Sequence, residues 1–120
     1  MTRQPVFICA RVRPSQPGDG LPNANAHTLE GYAEAAMLDS AQRGEAPFPW
    51  NGLNAFLRDD LPEERKVALE ICLAWLPHAA RVVVYGDFGI SSGMRGEIDR
   101  AEALGIPVEH RTLNVMTSNP

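Results

Sequence analysis

Cysteine is scarce in this chain: two stand among 120 residues, Cys9 and Cys72, far apart and each inside an apolar run. No Cys-x-x-Cys pair and no Cys/His cluster exists, so no zinc pattern is present and the two read as buried free thiols. Long apolar runs are also missing. No segment approaches the ~20 apolar residues that span a bilayer, and the N-terminus lacks an extended apolar signal region, so the expected setting is cytoplasmic with no membrane partner. Positive charge is not in excess, since 11 Lys and Arg against 15 Asp and Glu give a formal charge of −4. A general nucleic-acid binder presents a basic face, so nucleic acid is not an expected partner; a single nucleotide in a locally basic pocket still is. Internal repeats and low-complexity segments are absent.

What is present suffices for one domain over residues 1–120. At this length, with 44% hydrophobic residues, a core forms without metal or disulfide staples. Val6 to Ala10 has too little polar alternation for a half-exposed strand and reads as central, covered on both faces. Residues 11–22, with Pro14, Pro17, Gly18, Gly20 and Pro22, form a long loop. A helix is predicted from about Asn25 to Arg43, with Leu29, Tyr32, Ala33, Ala36 and Met37 at helical spacing and Gly44 as its stop. Ala46 to Trp50 reads as a short strand limited by two prolines, with a turn of helix around Leu53 to Leu57. Pro62-Glu63-Glu64 starts a helix, proline first and acids at the positive dipole end. Its apolar face, Val67, Ile71, Leu73, Ala74 and Trp75, lasts to about His78. Arg81 to Tyr85 is a strand, Ser92 to Leu104 a helix ending at Gly105, and Ile106 to His110 a strand. This alternation predicts an α/β protein, a small three-layer Rossmann-like sandwich with a mainly parallel sheet of four to five strands.

In such a sheet ligands gather outside the carboxyl ends of the strands, where the strand order switches. Three loops meet there. The first carries Arg11, Arg13 and Ser15, the second Trp50, Asn51 and Asn54, the third Asp87, Ser91, Ser92, Gly93 and Glu97. Cations, hydroxyls and free helix N–H groups suit a phosphate, an aromatic suits a base, and carboxylates suit sugar hydroxyls or catalysis. Helix side chains lean toward the N-terminus, which aims Glu97 at the loop mouth. Each residue also has a plainer reading. One serine caps the helix; Glu97 could pair with Arg100 on an exposed face; Arg11 and Arg13 could only solubilise their loop; Trp50 could be a packed loop aromatic; Asp87 could be a turn former. His27, His78 and His110 form no cluster.

The run Ser91-Ser92-Gly93-Met94-Arg95-Gly96-Glu97-Ile98, followed by Ala101-Glu102-Ala103-Leu104-Gly105-Ile106-Pro107-Val108, resembles the nucleoside 2-deoxyribosyltransferase-like superfamily. Phe7 to Arg13 is similar to the opening of its nucleoside 5′-monophosphate N-glycosidase branch. Pro62 to Arg65 is shared with a set of small bacterial and phage proteins within the superfamily, and the likeness spans roughly residues 5–110. The resemblance implies Glu97 as nucleophile at the anomeric carbon, with the helix N-terminus keeping it ionised. It places Ser91 and Arg13 toward a 5′-phosphate, since relatives acting on free nucleosides tend to carry an aspartate at the Ser91 position. It requires no cofactor or metal, and it implies a homodimer. One departure stands out: Cys72 occupies the position of a family aspartate that assists the departing base. That duty would fall to Glu70, Asp87 or water. The expected function is therefore hydrolysis of the base–sugar bond of a nucleoside 5′-monophosphate. The alternative is a nucleotide-binding module with weak or no catalysis, and a scaffold with a vestigial pocket is a third reading.

Overall fold

The computed structural model describes residues 2–48, 57, 58 and 60–115. Four strands, β1 (Pro5–Ala10), β2 (Ala46–Pro47), β3 (Arg81–Tyr85) and β4 (Val108–Arg111), form one sheet in the order β2-β1-β3-β4. Every pairing is parallel, with Val6 opposite Arg81 and Ala10 opposite Tyr85 across the centre. Helices α1 (Ala26–Gln42), α2 (Pro62–Trp75) and α3 (Ser92–Ala103) link the strands, and a 3₁₀ turn, Leu76–His78, follows α2. This is the Rossmann-like α/β sandwich expected from the alternating pattern.

Strand alternation explains the two cores. Val6, Ile8 and Ala10 of β1, with Val83 and Tyr85 of β3, face Leu29, Tyr32 and Ala36 of α1. Phe7, Cys9, Val82 and Val84 face the other way, onto Cys72 of α2 and Met94, Ile98 and Ala101 of α3. Being covered on both faces is why β1 and β3 read as unbroken apolar runs.

The helix ends follow local chemistry. The Asn25 side-chain oxygen accepts the Thr28 N–H at 2.8 Å and opens α1. Gly105, at φ +73°, sends its N–H to the Glu102 carbonyl, while Ile106 N–H reaches Ala101, which closes α3 in a left-handed turn that suits glycine. Helix α2 departs from expectation. Its sequence carries a broad apolar face, yet Cys72 is its one buried residue, with Val67 42% and Trp75 56% exposed. The stripe of Arg65, Ala68, Leu69 and Cys72 lines a cavity instead. Trp50, Asn51, Asn54 and the helical turn expected around Leu53 to Leu57 lie outside the described residues, apart from Leu57 itself. Among the described residues no helix is long and apolar enough to cross a membrane.

Candidate functional site

From β1 the chain crosses to β2 on one side, and from β3 to β4 on the other, so the loops after β1 and β3 diverge at the centre of the sheet. Between them lies a cavity of about 700 Å³. The loop after β1 contributes Arg11, Arg13, Gln16 and Asp19; α3 and its approach contribute Ser91, Ser92, Gly93 and Glu97; α2 contributes Arg65 and Cys72.

Glu97 sits in the second turn of α3, half-buried, with its side chain laid back against β1. The Cys9 thiol donates to its Oε1 at 3.3 Å. Pairing with Arg100, which the spacing also allowed, is not the arrangement found. Nor does the helix N-terminus decide its charge. Burial pushes the carboxyl up to about 7, against the smaller opposing effect of the thiol hydrogen bond. The reason is tertiary: the side chain lies back against the Cys9 thiol of β1 at the cavity wall, which removes much of the water around it.

This perturbation bears on stability with a definite sign. Between the ordinary glutamate value of 4.5 and about 7, the folded protein holds a proton that the unfolded chain releases. Glu97 therefore costs least below pH ~4.5, and its cost grows to a plateau above pH ~7. Glu97→Gln should raise stability above pH 7 by an amount on the order of 2–3 kcal/mol and do little at pH 4.5. Urea unfolding at pH 4.5 and pH 8 measures this; an equal effect at both values would remove the claim.

Ser91 caps α3. Its Oγ accepts the Met94 N–H at 3.3 Å, and it also lines the cavity. The backbone N–H groups of Ser92 and Gly93 have no partner among the described residues, so they form an open donor pair beside Glu97. At Gly93 an added methyl would meet no protein atom within 4 Å, so the glycine there leaves space rather than serving packing.

Arg11 and Arg13 divide. The Arg11 side chain is fully buried, and its guanidinium donates to the carbonyls of Arg13 (3.1 Å), Pro22 (2.8 Å) and Phe88 (3.2 Å) and to Ser15 Oγ (3.2 Å). Asp19 lies 3.5 Å from it. Arg13, two residues along the extended loop, is half-buried at the cavity wall.

The remaining acids lie elsewhere. Glu70 is exposed on α2 and is not part of the cavity wall. Asp87 is also outside it, and its oxygens accept from Tyr32 (2.6 Å), Thr112 (2.6 Å), Leu113 N–H (2.9 Å) and Val115 N–H (3.3 Å). Burial works against ionisation there, but these hydrogen bonds outweigh it and take the carboxyl down to about 2. Cys72, on the wall, is pushed up to about 12 by burial and then by the charge of Glu97. Among the described residues no group of His, Cys, Asp and Glu could hold a metal ion.

The charged lining residues Arg65 and Asp19 escaped the sequence reading. For Arg65 the signal was available: residues 65, 68, 69 and 72 share one helical stripe, which links it to Cys72. Asp19 looked like one more polar loop residue.

A family described as a domain of unknown function (DUF7768) matches residues 4–111. No curated protein matches. A solved structure, the 2-deoxyribosyltransferase from the psychrotolerant bacterium Bacillus psychrosaccharolyticus, is similar with a TM-score of 0.63. At 15% identity the likeness covers 96% of this chain and 77% of that one, and it establishes a shared fold.

Proposed function

We propose, for a chain that belongs to the DUF7768 family and shares the deoxyribosyltransferase fold, that the cavity hydrolyses the base–sugar bond of a nucleoside 5′-monophosphate. The observation that carries this reading is the meeting of Glu97 with the open N-terminus of α3 and with Arg13 around one cavity. A phosphate on the Ser92 and Gly93 N–H groups, beside Ser91 and within the field of Arg13, leaves the sugar over Glu97. The carboxylate then attacks the anomeric carbon, the base leaves, and water resolves the glycosyl ester. The test is chromatographic detection of free base after incubation with each common ribo- and deoxyribonucleoside 5′-monophosphate. Release over many turnovers supports the reading.

One observation favours a second reading, a nucleotide-binding module. The α2 wall of the cavity presents the Cys72 thiol, and the nearest helix acid, Glu70, is exposed away from it. Calorimetric binding of nucleotides, with no base released over long incubation, would establish that reading in place of hydrolysis.

A homodimer belongs to the same proposal. Val67 and Trp75 leave apolar side chains exposed on the outer side of α2, 42% and 56% respectively, and Leu69, 40% exposed, stands on the opposite side at the cavity rim. Light scattering should give the mass of two chains, reduced to one in Leu69→Glu. A monomeric starting protein would remove this part of the proposal.

A further inference from the structure

Breaking the bond between a sugar and a neutral base leaves the base as an anion unless it receives a proton. The described residues show where each nearby proton donor stands. Glu70 and Asp87 lie off the cavity, and Asp87 is committed to Tyr32, Thr112 and two backbone N–H groups. Asp19 lines the cavity, but it accepts the N–H groups of Gln16 (2.8 Å) and Leu21 (2.9 Å) and faces Arg11, contacts that all favour its ionised form. Cys9 directs its thiol proton at Glu97. Cys72, on the α2 wall, offers a buried thiol, a very weak acid. Around Glu97 the described part of the wall thus holds a nucleophile without a donor suited to neutral pH.

The wall carries the cations Arg11, Arg13 and Arg65 beside the acids Asp19 and Glu97. Among the described residues Glu97 has a thiol for a partner and no ion pair. The surrounding surface of Ile8, Leu69, Ile90 and Met94 is apolar, which suits the flat face of a base.

We infer that the substrate of this cavity is a nucleoside 5′-monophosphate whose base carries a fixed positive charge, an N7-alkylated purine or a pyridinium. The inference rests on the reading of Glu97 as nucleophile given above. Such a base needs no proton. As a Glu97 carboxylate oxygen bonds to the anomeric carbon, the carbon–nitrogen bond breaks and its electron pair neutralises the ring, which departs as an uncharged molecule. Water then bonds to the anomeric carbon, the ester electron pair returns to Glu97, and one proton passes to solvent. The cation also supplies the countercharge that Glu97 lacks, and it favours the ionised carboxylate that the attack requires.

The experiment compares 7-methylguanosine 5′-monophosphate with guanosine 5′-monophosphate, and nicotinamide mononucleotide with cytidine 5′-monophosphate. The cationic member of each pair should show kcat/KM at least ~10²-fold higher, the lower end of what a missing general acid is worth. Cys72→Asp, which places an acid on the wall, should raise the rate on the neutral partners relative to that on the cationic ones by ~10-fold or more. Should that buried substitution prevent folding, a series of neutral nucleotides with the unaltered protein serves instead. Its rates should fall steeply, ~fivefold or more per unit rise in the pKa of the departing base. Equal rates within each pair, or a flat series, would overturn the inference while leaving Glu97 as nucleophile intact. No release from either class would overturn both, which separates the two failures.

Discussion

Glu97→Gln should remove the proposed base release, by about 10³-fold or more, because an amide oxygen cannot form the glycosyl ester that a carboxylate would form. The nucleotide should still bind within ~3-fold of the original affinity, since the proposed phosphate contacts come from α3 N–H groups and Arg13 and not from Glu97. The pH dependence sharpens the expectation. Burial places the Glu97 carboxyl at about 7, and the attacking form is the ionised one, so kcat/KM rises with pH through that value and levels off above it. An amide side chain has nothing to titrate, so residual activity of the variant should lack this limb. Single-substrate kinetics from pH 5 to 9 on both proteins decide the matter. Base release by Glu97→Gln at the original rate would remove the nucleophile from the scheme, whatever the pocket binds. Taken with the gain in stability expected above pH 7, the residue would show a stability cost retained for its chemistry.

Arg11→Met should be the most destabilising single change in the cavity region, by roughly 3–5 kcal/mol. The guanidinium ties the carbonyls of Arg13, Pro22 and Phe88 to Ser15 and Asp19, so it joins the loop after β1 to the loop after β3. Methionine fills much of the volume but returns no hydrogen bond, and the three carbonyls lose a buried charged donor. The expected loss of melting temperature is about 12–20 °C for a chain of this size. Because Arg11 donates to the Arg13 carbonyl, nucleotide affinity should fall as well, through displacement of Arg13. Thermal unfolding followed by circular dichroism, with and without nucleotide, measures both. A variant melting within ~2 °C of the original would show that the loop holds itself without the guanidinium. Arg11→Lys is a useful companion. It keeps the charge but lacks the planar fork, so it should recover only part of the loss.

Much of the fold was legible residue by residue. The apolar runs of β1 and β3, the helix start near Asn25, the Pro62-Glu63-Glu64 start and the Gly44 and Gly105 stops all depend on neighbours within a few positions, and the structure places each as the pattern implied. Strand order was not legible, because nothing local says that β3 pairs with β1 while β2 takes the outer side. In the candidate site, the Ser91, Gly93 and Glu97 spacing on α3 could be read directly, since a single helix end sets it. Asp87 could not. It stands two positions before Gly89 like an ordinary turn residue, yet its partners are Tyr32, 55 residues back, and Thr112, Leu113 and Val115, 25 to 28 residues ahead.

Sequence alone therefore determined the elements, their ends and the helix that presents Glu97, because those rest on backbone propensity and short-range hydrogen bonds. Tertiary structure decided the rest. It buried Arg11 as the tie between two loops, set Arg65 on the cavity wall, turned Glu97 against Cys9 and raised its titration to about 7. Each of these depends on how much water is excluded and on which distant group fills the space. Those quantities come into being when the helices close on the sheet, and no stretch of neighbouring residues contains them.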